Sequence, residues 1–274
     1  MHTLRGIHLI IIKVFVLIFT SIIAVPGYAI DPNTVVGVWL FDEGKGEIVK
    51  DSSKNSHHGS VNGNPQWIDG KFGNALKFDG LDDFIDLGSD ETLSLATFSV
   101  SFWFNMEVTQ AWNHMVSKGT HKGAGNPGAV NWGVMSRENE AGIKYEIYED
   151  TKWSGISSPV SLKEWHHVVA TYDEDKMELY VDGTSKGTLL GAKIKIDKTR
   201  SVKIGAKSVE GPTPASYFNG SIDEVAIFNA ILPVEDVKAI MNDGLQKALG
   251  MTAVAPEGKL SATWASIKEE HQSL

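Results

Sequence analysis

The stretch EWHHVVATYDEDKMELYVDG, residues 164–183, gathers side chains suited to acid–base or metal chemistry. His166 and His167 stand side by side, and Asp173, Glu174 and Asp175 follow. Histidine titrates near neutral pH and ligates metals, so a base, a metal ligand and a structural role are all open to each. Alternation separates these readings, because residues two apart on a strand share a face. Trp165, His167, Val169 and Thr171 then line one face, and His166, Val168, Ala170 and Tyr172 the other. Both faces are mostly apolar, as in a central strand covered on each side, and the acids fall where the following hairpin turns. The histidines are therefore expected to be hydrogen-bonded within the fold, and the acids to be solvated turn residues.

Carboxylates on apolar faces say more. In SIDEVAIF, alternation sets Asp223 in line with Val225 and Ile227, and in VVGVWLFDE it sets Asp42 in line with Val36, Val38 and Leu40. A buried carboxylate needs a cation or several N–H donors. Ca²⁺ suits such a place, since it accepts carboxylates and backbone carbonyls in flexible geometry. The alternative is that both acids end their strands and cap turns. A third feature is aromatic: Trp112, Trp132 and Trp153 lie in or beside the glycine-rich region 109–159. Flat rings on loops suit stacking against sugar faces, and equally the edges of a core. GTHKGAGNPG (119–128) lacks the Gly-Lys-Ser/Thr ending of a phosphate loop and reads as a solvated loop.

The elements that must position these residues are mostly strands. Eleven short alternating runs, bounded by Gly, Asn, Asp or Ser, begin with VVGVWLF (35–41) and end with GSIDEVAIFN (220–229). One helix is expected, over PVEDVKAIMNDGLQKALG (233–250), with Pro233 at its first position and Val234, Val237, Ile240, Met241 and Leu245 on one face. Many strands and one late helix predict an all-β sandwich of one domain. Ahead of it, Arg5 and Lys13 precede an apolar run from Val14 to Val25 and the small residues Gly27 and Ala29, so residues 1–29 read as a secretory signal cleaved after Ala29. Behind it, 251–274 reads as a tail. There is no cysteine, so no disulfide holds the exported chain. Removing Arg5 and Lys13 with the signal leaves 23 basic residues against 34 acidic ones, a charge of −11, which argues against nucleic acid and anionic membranes as partners and is compatible with a cation.

Five segments in order resemble one family. VVGVWLFDEGKGEIVKDSSKNSHHGSVNG, GKFGNALKFDGLDDFIDLG, FSVSFWFN, EWHHVVATYDEDKMELYVDG and YFNGSIDEVAIFNAILPVEDVKAIM look like the motif series of laminin-G-like jelly-roll domains, within the concanavalin A-like lectin/glucanase superfamily. The resemblance implies a two-sheet antiparallel jelly-roll sandwich with one short C-terminal helix, over 30–250. It also implies a secreted, non-catalytic module binding carbohydrate or an extracellular partner. A structural Ca²⁺ would use Asp223, backbone oxygen near Asp42, and the carbonyl of Gly73. DEDKME (173–178) resembles the paired-carboxylate signature of glucanases on this fold, with Asp173 in the first Glu's place, but it lies at a hairpin turn rather than along a strand. A polysaccharide hydrolase or lyase on the same sandwich, or a purely structural interaction domain, are the alternatives.

Overall fold

A computed structural model describes residues 30–251 apart from 110, 120–129, 138–139, 150–151, 195, 197 and 208–215. The expected signal at 1–29, and the expected tail apart from Met251, lie outside the described residues. In chain order the strands begin β1 (Val35–Trp39), β2 (Ile48–Val49), β3 (Gly59–Asn62), β4 (Gln66–Asp69), β5 (Asn74–Asp79), β6 (Phe84–Asp86), β7 (Phe98–Met106) and β8 (His114–Gly119). They continue β9 (Val130–Ser136), β10 (Gly142–Tyr148), β11 (Trp153–Pro159), β12 (Trp165–Tyr172), β13 (Lys176–Val181), β14 (Thr184–Leu190), β15 (Val202–Ile204) and β16 (Asn219–Phe228), followed by α1 (Val234–Ala248).

The strands form two antiparallel sheets. One runs β14-β13-β12-β7-β16-β5-β4, with β1 also paired to β16, and the other β11-β10-β9-β8-β15-β6-β3-β2. Alternate residues of each fill the space between them: Phe98, Val100, Phe102 and Phe104 of β7 meet Val134, Ile143, Tyr145 and Ile147 of the second sheet. The opposite parity of the first sheet is apolar too. Val38, Leu40, Val169, Ala226 and Phe228 pack under Leu232, Val237, Ile240 and Leu245, so α1 covers the outer face of that sheet. Each such side chain contributes about 1.5–3 kcal/mol by leaving water.

The eleven expected strands are all present. The five unexpected ones, β2, β3, β4, β11 and β14, lie at or next to the sheet margins. Half-exposed margins need no long apolar alternation, so their sequences carry little strand signal. The helix begins one residue later than expected: Pro233 is the N-cap, its carbonyl accepting from Asp236 and Val237 N–H. It is also interrupted at Gly244, which takes φ 76° and ψ 162°.

The two histidines belong to this framework. His167 is buried, its Nε2 2.9 Å from Ser101 Oγ, and burial pushes its pKa down to about 3, leaving it neutral. Its backbone N–H donates to Asp182 Oδ1 at 2.9 Å. Asp182 and Gly183, both with positive φ, make the two-residue turn from β13 to β14. Asp173 holds the β12–β13 turn instead, accepting from the N–H of Lys176 at 2.8 Å. His166 lies between Ser161 Oγ at 3.0 Å and Asp182 Oδ2 at 2.8 Å, a hydroxyl–imidazole–carboxylate order shared with nucleophile relays. The hydroxyl hydrogen is committed elsewhere, to Glu164 Oε2 at 2.5 Å. Ser161 Oγ therefore accepts from Nε2–H while Nδ1–H donates to Asp182, which is the pattern of an imidazolium between a hydroxyl oxygen and a carboxylate. The Asp182 hydrogen bond, against the opposing effect of burial, holds the His166 pKa above 6.5.

A raised histidine pKa gives stability that is fully present below the unfolded-state value, near 6.5, and lost as pH rises through the folded value. His166→Ala is expected to cost about 1–2 kcal/mol at pH 5.5 and less at pH 8. Melting curves of variant and wild type at the two pH values check this, and the difference between them cancels the titration of other groups. An equal cost at both would show that the imidazolium contributes nothing.

Candidate functional site

Two places bring polar side chains together. At the first, β16 bulges between Asp223 and Ala226 where it pairs with β7, with Glu224 at φ 51°. The extra residue overturns strict alternation. Ile222 and Val225 face the inter-sheet core, whereas Asp223 pairs across from Trp103 on the opposite face and is not in line with Val225 and Ile227. Likewise Asp42 follows the parity of Val38 and Leu40, under the helix, and not that of Val36, which is in the inter-sheet core. Asp42 itself is exposed.

The turn 70–74 joins the three residues named from the sequence. Asp223 is fully buried; its Oδ2 accepts from Phe72 N–H at 2.9 Å, and its Oδ1 has no hydrogen-bond partner among the described residues. Burial pushes its pKa up to about 8, with Glu224 beside it adding to the rise. Asp42 Oδ1 accepts from Asn74 N–H at 2.9 Å. Gly73, at φ 60°, lies so close to Asp42 that a Cβ would collide with Oδ1, and its carbonyl accepts from Gly70 N–H at 2.9 Å. Glu224 joins this group, although alternation gave no sign of it. Burial, followed by the Asp42 charge, pushes its pKa to about 7. Its Oε2 accepts the N–H of Leu245, freed by the helix interruption at Gly244, where a Cβ would stand 3.1 Å from that oxygen. An all-oxygen set with one buried orphan oxygen suits a hard cation.

A different acidic group is tighter: ligand oxygens of Asp79, Asp82 and Asp83 lie within 4.8 Å of one another. Both oxygens of Asp83 already accept backbone N–H groups, from Asn64 at 2.6 Å and Asp79 at 3.0 Å, so this group fastens a turn.

The second place is the outer face of β8 to β11. On β10, Ile143, Tyr145 and Ile147 point into the core, so Lys144, Glu146 and Tyr148 point outward over about 13 Å of strand. Opposite Glu146 on the neighbouring strands stand Gly133 and Gly155, which leave room around it. Lys144 Nζ lies 2.5 Å from Glu146 Oε2 and 5.1 Å from the ring centre of Trp112, which is 40% exposed. At the other end Trp153, 36% exposed, packs on Tyr148 with ring centres 4.8 Å apart. Two of the three tryptophans named from the sequence thus flank one polar strip. Trp132 does not: it is 4% exposed and faces inward, 5.1 Å from the Phe98 ring. Its shared parity with Val134 in NWGVMS was the signal of a core residue, as the parity of Lys144, Glu146 and Tyr148 was of an outward row.

Comparison with known proteins follows this geometry. No curated protein sequence matches the chain. Among solved structures, domain 4 of a GH43 extracellular arabinanase from Geobacillus stearothermophilus, in complex with arabinotriose, superposes with a TM-score of 0.61 at 20% identity, over 76% of this chain and 98% of that one. The receptor binding domain of botulinum neurotoxin C/D mosaic serotype does so with a TM-score of 0.57 at 18% identity, over 77% of this chain and 51% of that one. Trypanosoma rangeli sialidase in complex with sialic acid gives a TM-score of 0.57 at 16% identity, over 81% of this chain and 34% of that one. These likenesses are of fold. The Laminin_G_3 profile, of the concanavalin A-like lectin/glucanases superfamily, matches residues 78–238, more than half of the chain, and the chain belongs to that superfamily.

Proposed function

We propose that the chain is an exported, non-catalytic module that binds carbohydrate, free or on an extracellular partner, through the outer face of β8 to β11. The observation that carries this is the pair of exposed indoles, Trp112 and Trp153, at either end of the Lys144–Glu146–Tyr148 strip. Stacking on flat rings, with a few polar groups between them, is how a shallow face holds a saccharide. The arabinanase domain, in complex with arabinotriose and matched over 98% of its length, supports the same reading by analogy of fold. A hydrolase would need two carboxylates about 5–9 Å apart across the sugar. Within strands β8 to β11, Glu146 is the one carboxylate, and it is paired with Lys144. Export rests on the segment at 1–29; among the described residues no helix is long and apolar enough to cross a membrane.

The test is a glycan array followed by titration of any hit. Trp112→Ala and Trp153→Ala should each weaken binding by about 1 kcal/mol, roughly fivefold, without lowering the melting temperature. Trp132→Ala should cost about 3–5 kcal/mol of stability instead. Undiminished binding by both exposed-indole variants would move the site elsewhere.

The bulge of β16 is the proposed seat of a structural Ca²⁺, which would neutralise Asp223. Asp223, Asp42 and the Gly73 carbonyl would hold it, the orphan Asp223 Oδ1 being the observation that supports the fit. Ca²⁺ at a hundredfold excess over its Kd would add about 2.7 kcal/mol. Chelation should lower the melting temperature of wild type and leave Asp223→Ala unmoved. Identical wild-type melting curves with chelator and with Ca²⁺ would rule the metal out.

A further inference from the structure

The exposed part of the binding face is long and narrow, and that shape restricts what it can hold. On β9, Met135 and Gly133 stand opposite Lys144 and Glu146, and both are buried. Ser117 of β8, paired in turn with Gly133, is buried as well. On β11 the outward positions Trp153, Ser157 and Pro159 are exposed, and Gly155 is half-buried. What a ligand can reach is therefore a band over β10 and β11, running with the strands rather than across them.

The band has an aromatic platform at each end and a low middle. Trp153 stands directly across from Tyr148, with the ring centres 4.8 Å apart. At the other end Ser136, which pairs with Ile143 at the start of β10, donates its N–H to the carbonyl of Asn113 at 2.9 Å. That bond sets Trp112 beside Lys144, whose Nζ lies 5.1 Å from the indole centre. Between the two ends, Lys144 to Tyr148 spans about 13 Å of strand. Gly155 brings no side chain to the middle, and a Cβ there would come within 3.0 Å of Glu146 Cβ and Lys144 Cε, so the Lys144 stem runs past this gap to its ion pair with Glu146 at 2.5 Å. One sugar ring covers one indole, and no single ring reaches both.

We infer that the ligand is a linear oligosaccharide of at least three sugars lying along β10 and β11, its outer rings on Trp112 and Trp153 and a middle ring over Gly155, between the Lys144 ammonium and the Ser157 hydroxyl. The inference rests on the binding face proposed above and adds the ligand's length and direction. Each indole alone offers a weak contact. Joined through one chain, the second contact becomes intramolecular, so affinity climbs with chain length until both platforms are filled and then levels off. A lone terminal sugar would use one platform and leave the other idle. Lys144 and Glu146 cancel each other's charge, so the middle offers hydrogen bonds to hydroxyls rather than a net field.

Ladders of linear arabino-, xylo-, gluco- and manno-oligosaccharides, from one to six sugars, printed beside the glycan array and then titrated in solution against the full chain, test this. In the ladder that binds, wild type should hold three sugars at least fivefold more tightly than one, and six no more than about twofold more tightly than four. Trp112→Ala and Trp153→Ala should melt at the wild-type temperature, keep single-sugar binding within about threefold of wild type, and lose the gain from one sugar to three. Should either variant fail to fold, the wild-type ladder carries the comparison by itself. Equal affinity of wild type for one sugar and for three overturns the linear ligand, and so does binding to none of the ladders. The binding face still stands in either case if the array returns a glycan whose binding the two variants weaken. An empty array overturns both.

Discussion

The molecule turns on two carboxylates, Asp223 and Glu224, that the β16 bulge sends in different directions. A regular strand would place one of them in the inter-sheet core. The bulge instead keeps Ile222 and Val225 there and lets both acids reach backbone N–H groups outside it. Asp223 takes the N–H of Phe72 and so ties down the 70–74 turn; Glu224 takes the N–H of Leu245 and so ties down the end of α1. Among the described residues neither acid has a cationic side chain within ion-pair distance, and burial raises both pKa values. The strained φ of Glu224 and the broken helix at Gly244 are two sides of one compromise: each spends backbone regularity to satisfy a buried polar group.

That compromise also explains what the sequence could and could not reveal. The central strands were legible because they are apolar on one or both faces, and β7 and β12 read as strands from alternation alone. The histidine stretch was legible as a central strand for the same reason: it pairs with β7 and β13, and His167 is buried. Residues in the bulge were legible in part. Asp42, Gly73 and Asp223 do meet at one turn, but counting by twos wrongly set Asp223 in line with Val225 and Ile227, and Val36 in line with Val38, Leu40 and Asp42, because irregularities in β16 and in β1 each shift the alternation. Glu224 was invisible for the same reason: counted by twos it belongs to the face opposite Asp223, and only the αL backbone brings its carboxylate to Leu245.

On the second sheet the failure was of a different kind. Trp112, Trp132 and Trp153 were grouped by neighbourhood in sequence, whereas the structure sorts them by parity. Trp132 alternates with Gly133 and so points inward, while Trp153 pairs with outward Tyr148 and Trp112 precedes β8 at a positive φ of 61°.

The two sheets divide the work between them. The middle of the first sheet's outer face is covered by α1 over Val169, Ala226 and Phe228, and by Lys71 and Phe72 over Trp103. Beyond that cover β14 is largely exposed, with Lys176, Glu178 and Tyr180 of β13 half-buried beside it. The second sheet keeps one face for the core and turns Lys144, Glu146 and Tyr148 the other way. Because both sheets share the inter-sheet core, a ligand on the face proposed for binding would rest on a platform whose far side is held by the Asp223 and Glu224 contacts. Loss of those contacts would loosen the first sheet before it altered any group that touches the ligand. Stability and the proposed binding would therefore be separable here by residue, which is what a scaffold that varies its ligand without varying its fold requires.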